Sequence, residues 1–508
     1  MTTNNIRNFR KPLSIMLIAL FTIVSTPSSV MANDADLNKI LERLERLEAE
    51  NAALKNQVQA LVEAKAHTKT QMASEHTAHG DHQHAVSVEE EIERDSSDRL
   101  ITFNPEFGYD FLDANTNINR KQQMILRARQ DGSLAKNAVN VQGSVTAIAN
   151  VQSSNEPNLF GYLMRHPTGN NQRGTTVSEA TIHSTQLGFT ATMGDWVSAS
   201  AEFLYDPEQS FGAGTNTALT RNQVQARKAY VLLGNLDKSP FYASLGKQAI
   251  PFGLTDSVNP FTNSTVWHAF GGIANGGIVG YQGDSLNVSF MAVQGGAQFR
   301  SANVPVEGTS VPSKLNNYAV DANYTINLDS AANLLLGASY QRGSAYCQSF
   351  PITHFSPCEE ENPAWDVYAQ YQNEAWTVKS EIAKTTDEWA GTFNPSLPQF
   401  AASKVTSFDL GVQYRNQLFD LPVAYSAEFS RFEAGPSGAE WEKQDQLVLG
   451  LAMRLAPSVE LFAEYIDVNG YAPLNFLSGG HIPGMPQIPV ADASADSEVY
   501  MLGVTASF

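Results

Sequence analysis

Acidic side chains recur at alternate positions in several segments of this chain, opposite apolar ones. In the segment 457–466, Glu460 and Glu464 alternate with valine, leucine, alanine and tyrosine. Successive side chains of a strand point to opposite faces, so the carboxylates share one face. Carboxylates gathered on one wall attract cations and repel anions. The charged positions assigned to this polar face are Glu202, Asp321, Asp366, Lys379, Glu381, Asp409, Arg415, Glu428, Arg454, Glu460 and Glu464.

A second set of chemically active side chains is a histidine cluster in the polar segment 67–98. Imidazole nitrogens bind Zn²⁺, Cu²⁺ and Ni²⁺. The segment lacks the apolar residues that a packed core requires, so it implies no fixed coordination geometry. We expect either loose metal binding or a plain flexible linker here, and no cofactor elsewhere in the chain. The candidate ligands are His76, His79, His82 and His84.

One further histidine, His183, directly precedes a serine, Ser184. Nucleophilic catalysis requires a nucleophile, a base and an orienting acid brought together. Neither a nucleophile-elbow motif nor metal-ligand spacing surrounds this pair. The sequence therefore does not predict an enzyme.

The elements that carry the polar face are period-2 segments within residues 138–508. About sixteen of them are joined by connections that alternate between long and very short, which is the pattern of an outer-membrane barrel. The last segment runs to Phe508, and an aromatic final residue suits the interfacial girdle of a lipid-facing barrel. The predicted fold is an all-β transmembrane barrel of about 16 antiparallel strands, wide enough for a water-filled channel.

Residues 1–32 have the features of a secretory signal peptide. Arg7, Arg10 and Lys11 precede the apolar run Leu13–Val24, and a small-residue cleavage site follows. This order of a basic region, an apolar region and small residues is typical of exported proteins, and the run is too short to span a bilayer comfortably. Signal peptide and barrel together predict the outer membrane of a Gram-negative bacterium, with its lipid as a partner.

Residues 33–66 carry apolar side chains at steps of three and four from Leu37 to Leu61, which are the a and d positions of heptads. Asn51 is the one polar a residue, and such a residue costs stability but fixes the register. The segment predicts a short periplasmic α-helical coiled coil that makes the protein a homo-oligomer, with a trimer expected. The alternative is a single amphipathic helix lying on the barrel.

The His-rich linker, residues 67–98, leads into a segment over residues 99–137 without clear periodicity. We assign this lead-in segment to the periplasm, and the sequence leaves open whether it stays at the mouth of the pore or enters it. It is too short to form a globular plug of its own. The barrel is therefore expected to be plugless, with far fewer strands than the plugged receptors.

The formal net charge is −19, and it becomes −22 once the three basic residues of the signal peptide are removed, since that segment has no acidic residue. This balance argues against nucleic acid or an anionic membrane surface as a partner. Two cysteines, Cys347 and Cys358, in an exported chain predict one disulfide that closes a surface loop. A pair of unbridged thiols is the alternative.

The order of signal peptide, coiled coil, linker and barrel resembles the LbtU-type siderophore porin family. The local likeness lies in GKQAIPFG at Gly246–Gly253 and in GGIVGYQGDSLNVSFMAVQGG shortly after it. Phosphate- and carbohydrate-selective porins have similar arrangements. The resemblance implies an outer-membrane channel that takes up a ferric siderophore without TonB and without the plug of the larger receptors.

The third long connection folds inward as a constriction in sixteen-stranded porins, and here it is Pro251–Ala274. Its aromatic and amide side chains suit a bulky polar ligand. They suit equally a loop that packs on itself against the barrel wall. The candidate constriction residues are Asp256, Asn259, Asn263, Trp267 and His268.

The function expected from these features is entry of a ferric siderophore or another small polar solute. The main alternative is a general or carbohydrate-selective diffusion porin. A phosphate-selective porin fits less well, because such a channel needs a ladder of arginine and lysine that the assigned lumen lacks. A third alternative makes the coiled coil a tether between barrel and cell wall.

Overall fold

The computed structural model describes residues 100–155, 175–205, 224–294, 315–328, 331–347, 361–389, 403–439, 442–470 and 493–508. The predicted signal peptide, coiled coil and His-rich linker lie outside these residues, as does Cys358. Cys347 is disulfide-bonded. No helix in the described ranges is long and apolar enough to cross a membrane.

The chain forms a closed barrel of sixteen antiparallel strands, which confirms the predicted fold class. The last strand pairs with the first barrel strand, so the sheet has no free edge. A two-residue strand, β1 (Ile101–Thr102), pairs in parallel with the first barrel strand before the series begins. The barrel strands are β2 (Val139–Ser154), β3 (Thr176–Met193), β4 (Val197–Tyr205), β5 (Val224–Asn235), β6 (Ser239–Ala249), β7 (Ile273–Gln282), β8 (Leu286–Gln294), β9 (Leu315–Asn327), β10 (Asn333–Gln341), β11 (Ala364–Gln372), β12 (Trp376–Thr385), β13 (Thr406–Leu418), β14 (Leu421–Glu433), β15 (Lys443–Ala456), β16 (Val459–Asn469) and β17 (Asp496–Ser507).

Strand positions agree with the sequence pattern, and the largest difference in strand bounds is at the start of β3. β3 begins at Thr176, several residues before the segment 181–192 that alternation indicated. The added residues belong to the end where the long connections lie, here called the long-loop end. Apolar and polar residues stop alternating there, so the sequence gives no period-2 signal although the backbone pairing continues.

The outer face of the barrel is apolar. Phe241 and Leu245 on β6 are 65% and 71% exposed, whereas Ser244 between them is buried. Apolar side chains outward and polar side chains inward are the arrangement of a barrel that faces lipid.

Several inward-facing glycines lie directly opposite aromatic residues and make room for their rings. Gly503 on β17 pairs with Phe462 on β16, and Gly337 on β10 pairs with Tyr368 on β11. The Phe462 ring lies against Gly503 on one side and stacks on Phe261 at 5.5 Å on the other. A Cβ at position 503 would overlap that ring.

Among the described residues, two stretches besides the strands occupy the barrel interior. The first is the lead-in segment, residues 100–137, with helices α1 (Pro105–Leu112) and α2 (Lys121–Gln130). The Asn104 side chain caps α1 by accepting from the Phe107 N–H at 3.0 Å. The second is the inward loop, residues 250–272, with helix α3 (Thr265–Phe270).

The lead-in segment packs on the inner wall near the short turns of the barrel. The apolar faces of α1 and α2 are buried, with α1 against β2, β3 and β17 and α2 against β5. Arg129 donates to Ser198 Oγ at 2.7 Å and to the Gly194 carbonyl at 2.9 Å. The buried apolar residues of α1 and α2 are Phe107, Phe111, Leu112, Ile125, Leu126 and Ala128.

This arrangement answers the question that the sequence leaves open, whether the segment 99–137 stays at the mouth of the pore or enters it. Its described part, residues 100–137, lies in the lumen and forms one compact unit with the strands, which corrects the assignment to the periplasm and differs from a plugless barrel. The reason is physical: a segment too short for its own core can use the barrel wall as the other half of that core. At this level the apolar side chains of the segment and of the wall form one buried cluster.

We expect Gly503→Ala to destabilise the barrel, because the added methyl group displaces the Phe462 ring from a packed position. Overpacking of this kind costs about 1–3 kcal/mol. The free energy of unfolding of the vesicle-inserted protein in urea measures the effect. The control is Gly277→Ala on β7, where a Cβ would lie 3.6 Å from its nearest neighbour, Leu245 Cδ1. Equal stability of the two variants would contradict this account of the ring.

Candidate functional site

Glutamates on alternate strands of one side of the barrel hold the inward loop. Glu381 on β12 accepts from the Thr255 N–H at 3.0 and 2.9 Å, one bond to each carboxylate oxygen. Glu464 on β16 accepts from the Phe261 and Thr262 N–H groups at 2.8 and 3.0 Å. Carboxylates form strong, charge-assisted bonds with N–H donors. These glutamates therefore replace the strand partners that an irregular buried backbone lacks.

Glu428 on β14, between the other two, makes the densest set of contacts. It accepts from the Ser257 hydroxyl at 3.0 and 3.1 Å, from the Val258 N–H at 3.1 Å and from Asn259 Nδ2 at 3.1 Å. Its side chain is almost completely buried. A buried carboxylate is tolerated only when donors surround it, so the loop and the wall depend on each other.

A single lysine, Lys379 on β12, lies among these carboxylates and is completely buried. Its Nζ donates to Asp409 Oδ2 at 2.9 Å and to the Asp256 carbonyl, and lies 3.7 Å from Glu428 Oε2. The surrounding carboxylates and Lys379 are here called the acidic belt. The belt consists of Asp321, Asp366, Lys379, Glu381, Asp409, Glu428 and Glu464.

One pair of belt carboxyls lies side by side. Asp366 on β11 is 1% exposed, and its side chain is hydrogen-bonded to the Glu381 carboxyl and not to an N–H group of the described part of the chain. The Glu381 carboxyl is its neighbour, and Gly253 lies so close that an added Cβ would be 3.2 Å from Asp366 Oδ2. Buried carboxyls side by side cannot both be ionised unless a cation offsets them.

The lead-in segment contacts the inward loop in the middle of the lumen. Asp256 accepts from the N–H groups of Asn117 and Ile118 at 3.0 and 3.1 Å and from the Arg120 guanidinium at 2.5 Å. Asn119 Nδ2 donates to the Phe252 carbonyl at 2.8 Å. We call this set of contacts the latch.

A second amide pair extends the latch along the loop. Asn115 Nδ2 donates to the Asn259 carbonyl at 2.7 Å, and Asn263 Nδ2 donates to Asn115 Oδ1 at 3.1 Å. Thr255, which the latch also reaches through its hydroxyl, has a backbone φ of 53°. That conformation is strained for a β-branched residue and persists only where surrounding contacts enforce it.

The structure places all of the predicted lumen-lining residues on the inner face of the barrel. Those outside the belt also have lumenal partners. The Arg454 guanidinium lies 4.4 Å from the ring centroid of Tyr109 on α1, and Arg415 donates to Thr377 Oγ1 at 2.9 Å. Glu202 pairs with Arg227 and Glu460 with Tyr109.

The predicted constriction residues lie in the lumen but do not line an open passage. Asp256, Asn259 and Asn263 are buried in contacts with the wall and the lead-in segment. His268 is buried beside Trp267, which is only partly covered. The alternative in which the loop packs against the wall describes these residues better, because their amide and carboxylate groups satisfy the buried backbone of their neighbours.

Sequence reasoning missed two basic residues, Lys228 and Arg120, that matter for the charge of the lumen. A β-bulge in β5 turns both Arg227 and Lys228 toward Glu202, at 3.3 and 3.1 Å. Strict alternation allows only one of two adjacent residues to face inward. Arg120 was missed for a different reason: the lead-in segment carries no periodic signal.

The adjacent residues His183 and Ser184 also lie at a β-bulge. The register of β2 and β3 shifts at this point, which lets both side chains face inward. His183 Nδ1 lies 3.1 Å from Ser184 Oγ, and the imidazole packs edge-on against Phe261. Across the described ranges no group of three or more His, Cys, Asp or Glu is arranged to hold a metal ion.

Burial lowers the pKa of Lys121, at the start of α2, from 10.5 to about 8. Its Nζ donates to the carbonyls of Asp110, Asp113 and Thr116 at 2.8, 3.1 and 3.1 Å. The pKa of Lys121 in the folded protein lies below its ordinary value, so burial of the charged amine at neutral pH is unfavourable. It therefore opposes the packing of the lead-in segment inside the barrel, here called seating. This opposition fades as the pH rises from about 8 toward 10.5, where the amine loses its proton in either state.

We therefore expect alkaline pH to stabilise the seated lead-in segment through Lys121. A trifluoromethyl label on Met124→Cys reports seating by ¹⁹F NMR, and a urea series gives the free energy of unseating at each pH. That free energy should rise between pH 8 and pH 10 in the labelled protein. Adding Lys121→Met should flatten the rise, and an equally steep rise without the lysine would contradict the assignment.

Comparison with known proteins locates this chain only broadly. No protein-family model matches it, and no curated protein matches it. Its barrel is similar to Pseudomonas putida OprB, with 9% identity over 72% of this chain and 94% of that one and a TM-score of 0.45. An anion-selective porin from Comamonas acidovorans is 13% identical over 73% of this chain and 99% of that one, with a TM-score of 0.45. Salmonella typhi OmpF in complex with daunomycin is 13% identical over 73% of this chain and 97% of that one, with a TM-score of 0.45.

Proposed function

We propose that this protein is a porin of the Gram-negative outer membrane and that it admits a ferric siderophore. The observation that carries the proposal is the inward loop held by the acidic belt inside a closed barrel with an apolar outer face. A loop that wall carboxylates hold against the inner wall narrows the lumen, so a solute that crosses the barrel meets a fixed set of side chains. The short-turn end of the barrel is then periplasmic and the long-loop end extracellular.

Charge supports the choice of solute class. The belt gathers six carboxylates of the wall around Lys379, whereas Arg227 and Lys228 on the opposite side are already paired with Glu202. Negative potential in a low-dielectric passage favours cations and neutral polar solutes over free anions. A phosphate channel requires the opposite charge.

The breadth of the lumen supports a bulky solute. Sixteen strands enclose more space than packed side chains alone fill, and here a whole segment with two helices fits inside. A passage that opens by rearranging such a segment has room for a chelated metal complex. The iron complex is cargo in this proposal, not a resident group.

Deleting the gene should reduce ⁵⁵Fe accumulation from the strain's own ferric siderophore, because the proposed entry route is lost. A plasmid copy should restore uptake, and ⁵⁵Fe accumulation from ferric citrate serves as the internal control. Unchanged accumulation from the siderophore would remove the substrate assignment and leave the barrel intact.

The general-porin alternative makes a different electrical prediction. Purified protein in a planar bilayer should then carry large, steady currents that ferric siderophore does not block. The siderophore channel proposed here should show small currents that its ferric substrate alters.

A further inference from the structure

The contacts of Arg120 show what the acidic belt requires of any occupant. The Arg120 guanidinium bonds to Asp256 on the inward loop and also lies within electrostatic reach of Asp321 and Tyr368. Asp321 in turn accepts from the hydroxyls of Ser339 and Tyr368 at 2.7 and 2.9 Å. Arg120 is thus the cation that the lead-in segment inserts into an acidic site. We call the site formed by Asp256, Asp321 and Tyr368 the cation seat.

Removing the cation from this seat without replacing it is energetically unfavourable. Lys379 is already committed to Asp409 and Glu428, and the nearby carboxyls of Asp366 and Glu381 are hydrogen-bonded to each other and bring no cation. Removing one partner of a buried ion pair strands the other charge, which is strongly unfavourable. Departure of the lead-in segment therefore becomes feasible when another cation takes the place of Arg120.

The lead-in segment also blocks the route that a solute would use. It bonds to Ser198 near a short turn, to Gln248 at the other end of the wall, and through the latch to the inward loop. Its apolar side chains and those of the inward loop belong to one continuous buried cluster. A solute can cross this level only after the segment moves.

From these observations we propose that residues 100–137 are a built-in plug, and that the transported solute carries a positive charge that displaces Arg120 from the cation seat. This inference rests on the proposed channel function and names the substrate class within it: a polar solute with a cationic group, such as a ferric trihydroxamate that bears a free amine. The exchange of one cation for another keeps the seat neutralised throughout opening. No covalent step is involved.

The first test perturbs the plug from inside. With the trifluoromethyl label on Met124→Cys, Arg120→Gln should raise the unseated fraction by about tenfold or more, because the ion pair with Asp256 is lost. Asp256→Asn should act in the same direction. The matched control is Arg127→Gln on the same helix, whose side chain is exposed and whose charge repels Arg120, so this variant should not raise the unseated fraction.

The second test uses an isosteric pair of probes on the wild-type barrel. Nα-acetyl-L-arginine amide carries one positive charge, and Nα-acetyl-L-citrulline amide carries none with nearly the same shape. The arginine probe should increase unseating and bilayer current, and the citrulline probe should not. A free-amine ferric trihydroxamate and its N-acetyl derivative should differ in the same way.

A disulfide between the lead-in segment and the inward loop provides a third test, which does not depend on the folding of Arg120→Gln. Asn119 Nδ2 lies 3.1 Å from Thr255 Oγ1, so oxidation of an Asn119→Cys, Thr255→Cys pair should abolish probe-induced current. Single-cysteine variants are the controls. Undiminished current in the locked protein, or equal responses to the charged and neutral probes, overturns this inference alone. Absence of current with any probe in a variant lacking residues 100–137 overturns the channel function as well.

Discussion

The interior of this barrel depends on buried carboxylates and unpaired backbone N–H groups that satisfy one another. A loop that leaves the sheet and enters the lumen loses its strand partners, and each unpaired N–H then requires an acceptor. Glu381, Glu428 and Glu464 supply acceptors from alternate strands. The same bonds remove these carboxylates from water without leaving them bare. Neither the loop nor the acidic wall would be stable in this form without the other.

This mutual dependence explains how so short a plug can be built. The lead-in segment has two helices of eight and ten residues, which is too little chain to enclose a core. It places its apolar faces against a wall that is already rigid because every barrel strand has two neighbours. The polar groups between its helices then bond to the inward loop. Plug and loop therefore share one buried cluster, and moving either one disturbs the other.

Much of the fold could be predicted from sequence because alternation in a barrel is a local signal. It located the strands and placed Glu381, Glu428 and Glu464 on the inner face. It could not show Lys228, since a bulge adds a residue to the strand and interrupts the period. It also missed the latch, in which Asn119 and Phe252 are separated by 133 positions. Contacts at such separation depend on barrel closure, which no short window of sequence records.

The charge of the lumen is likewise a property of the assembled protein. Counted along the strands, the inner wall is acidic, and a cation-selective open pore would follow. Assembly changes that conclusion, because the plug brings Arg120 to the acidic side of the lumen and pairs it with Asp256 of the inward loop. The acidic belt then acts first on a residue of its own chain. In such a channel Arg120 and a dissolved cationic solute compete for the same site. The effective concentration of the tethered arginine therefore sets how tightly a solute must bind to displace it and enter.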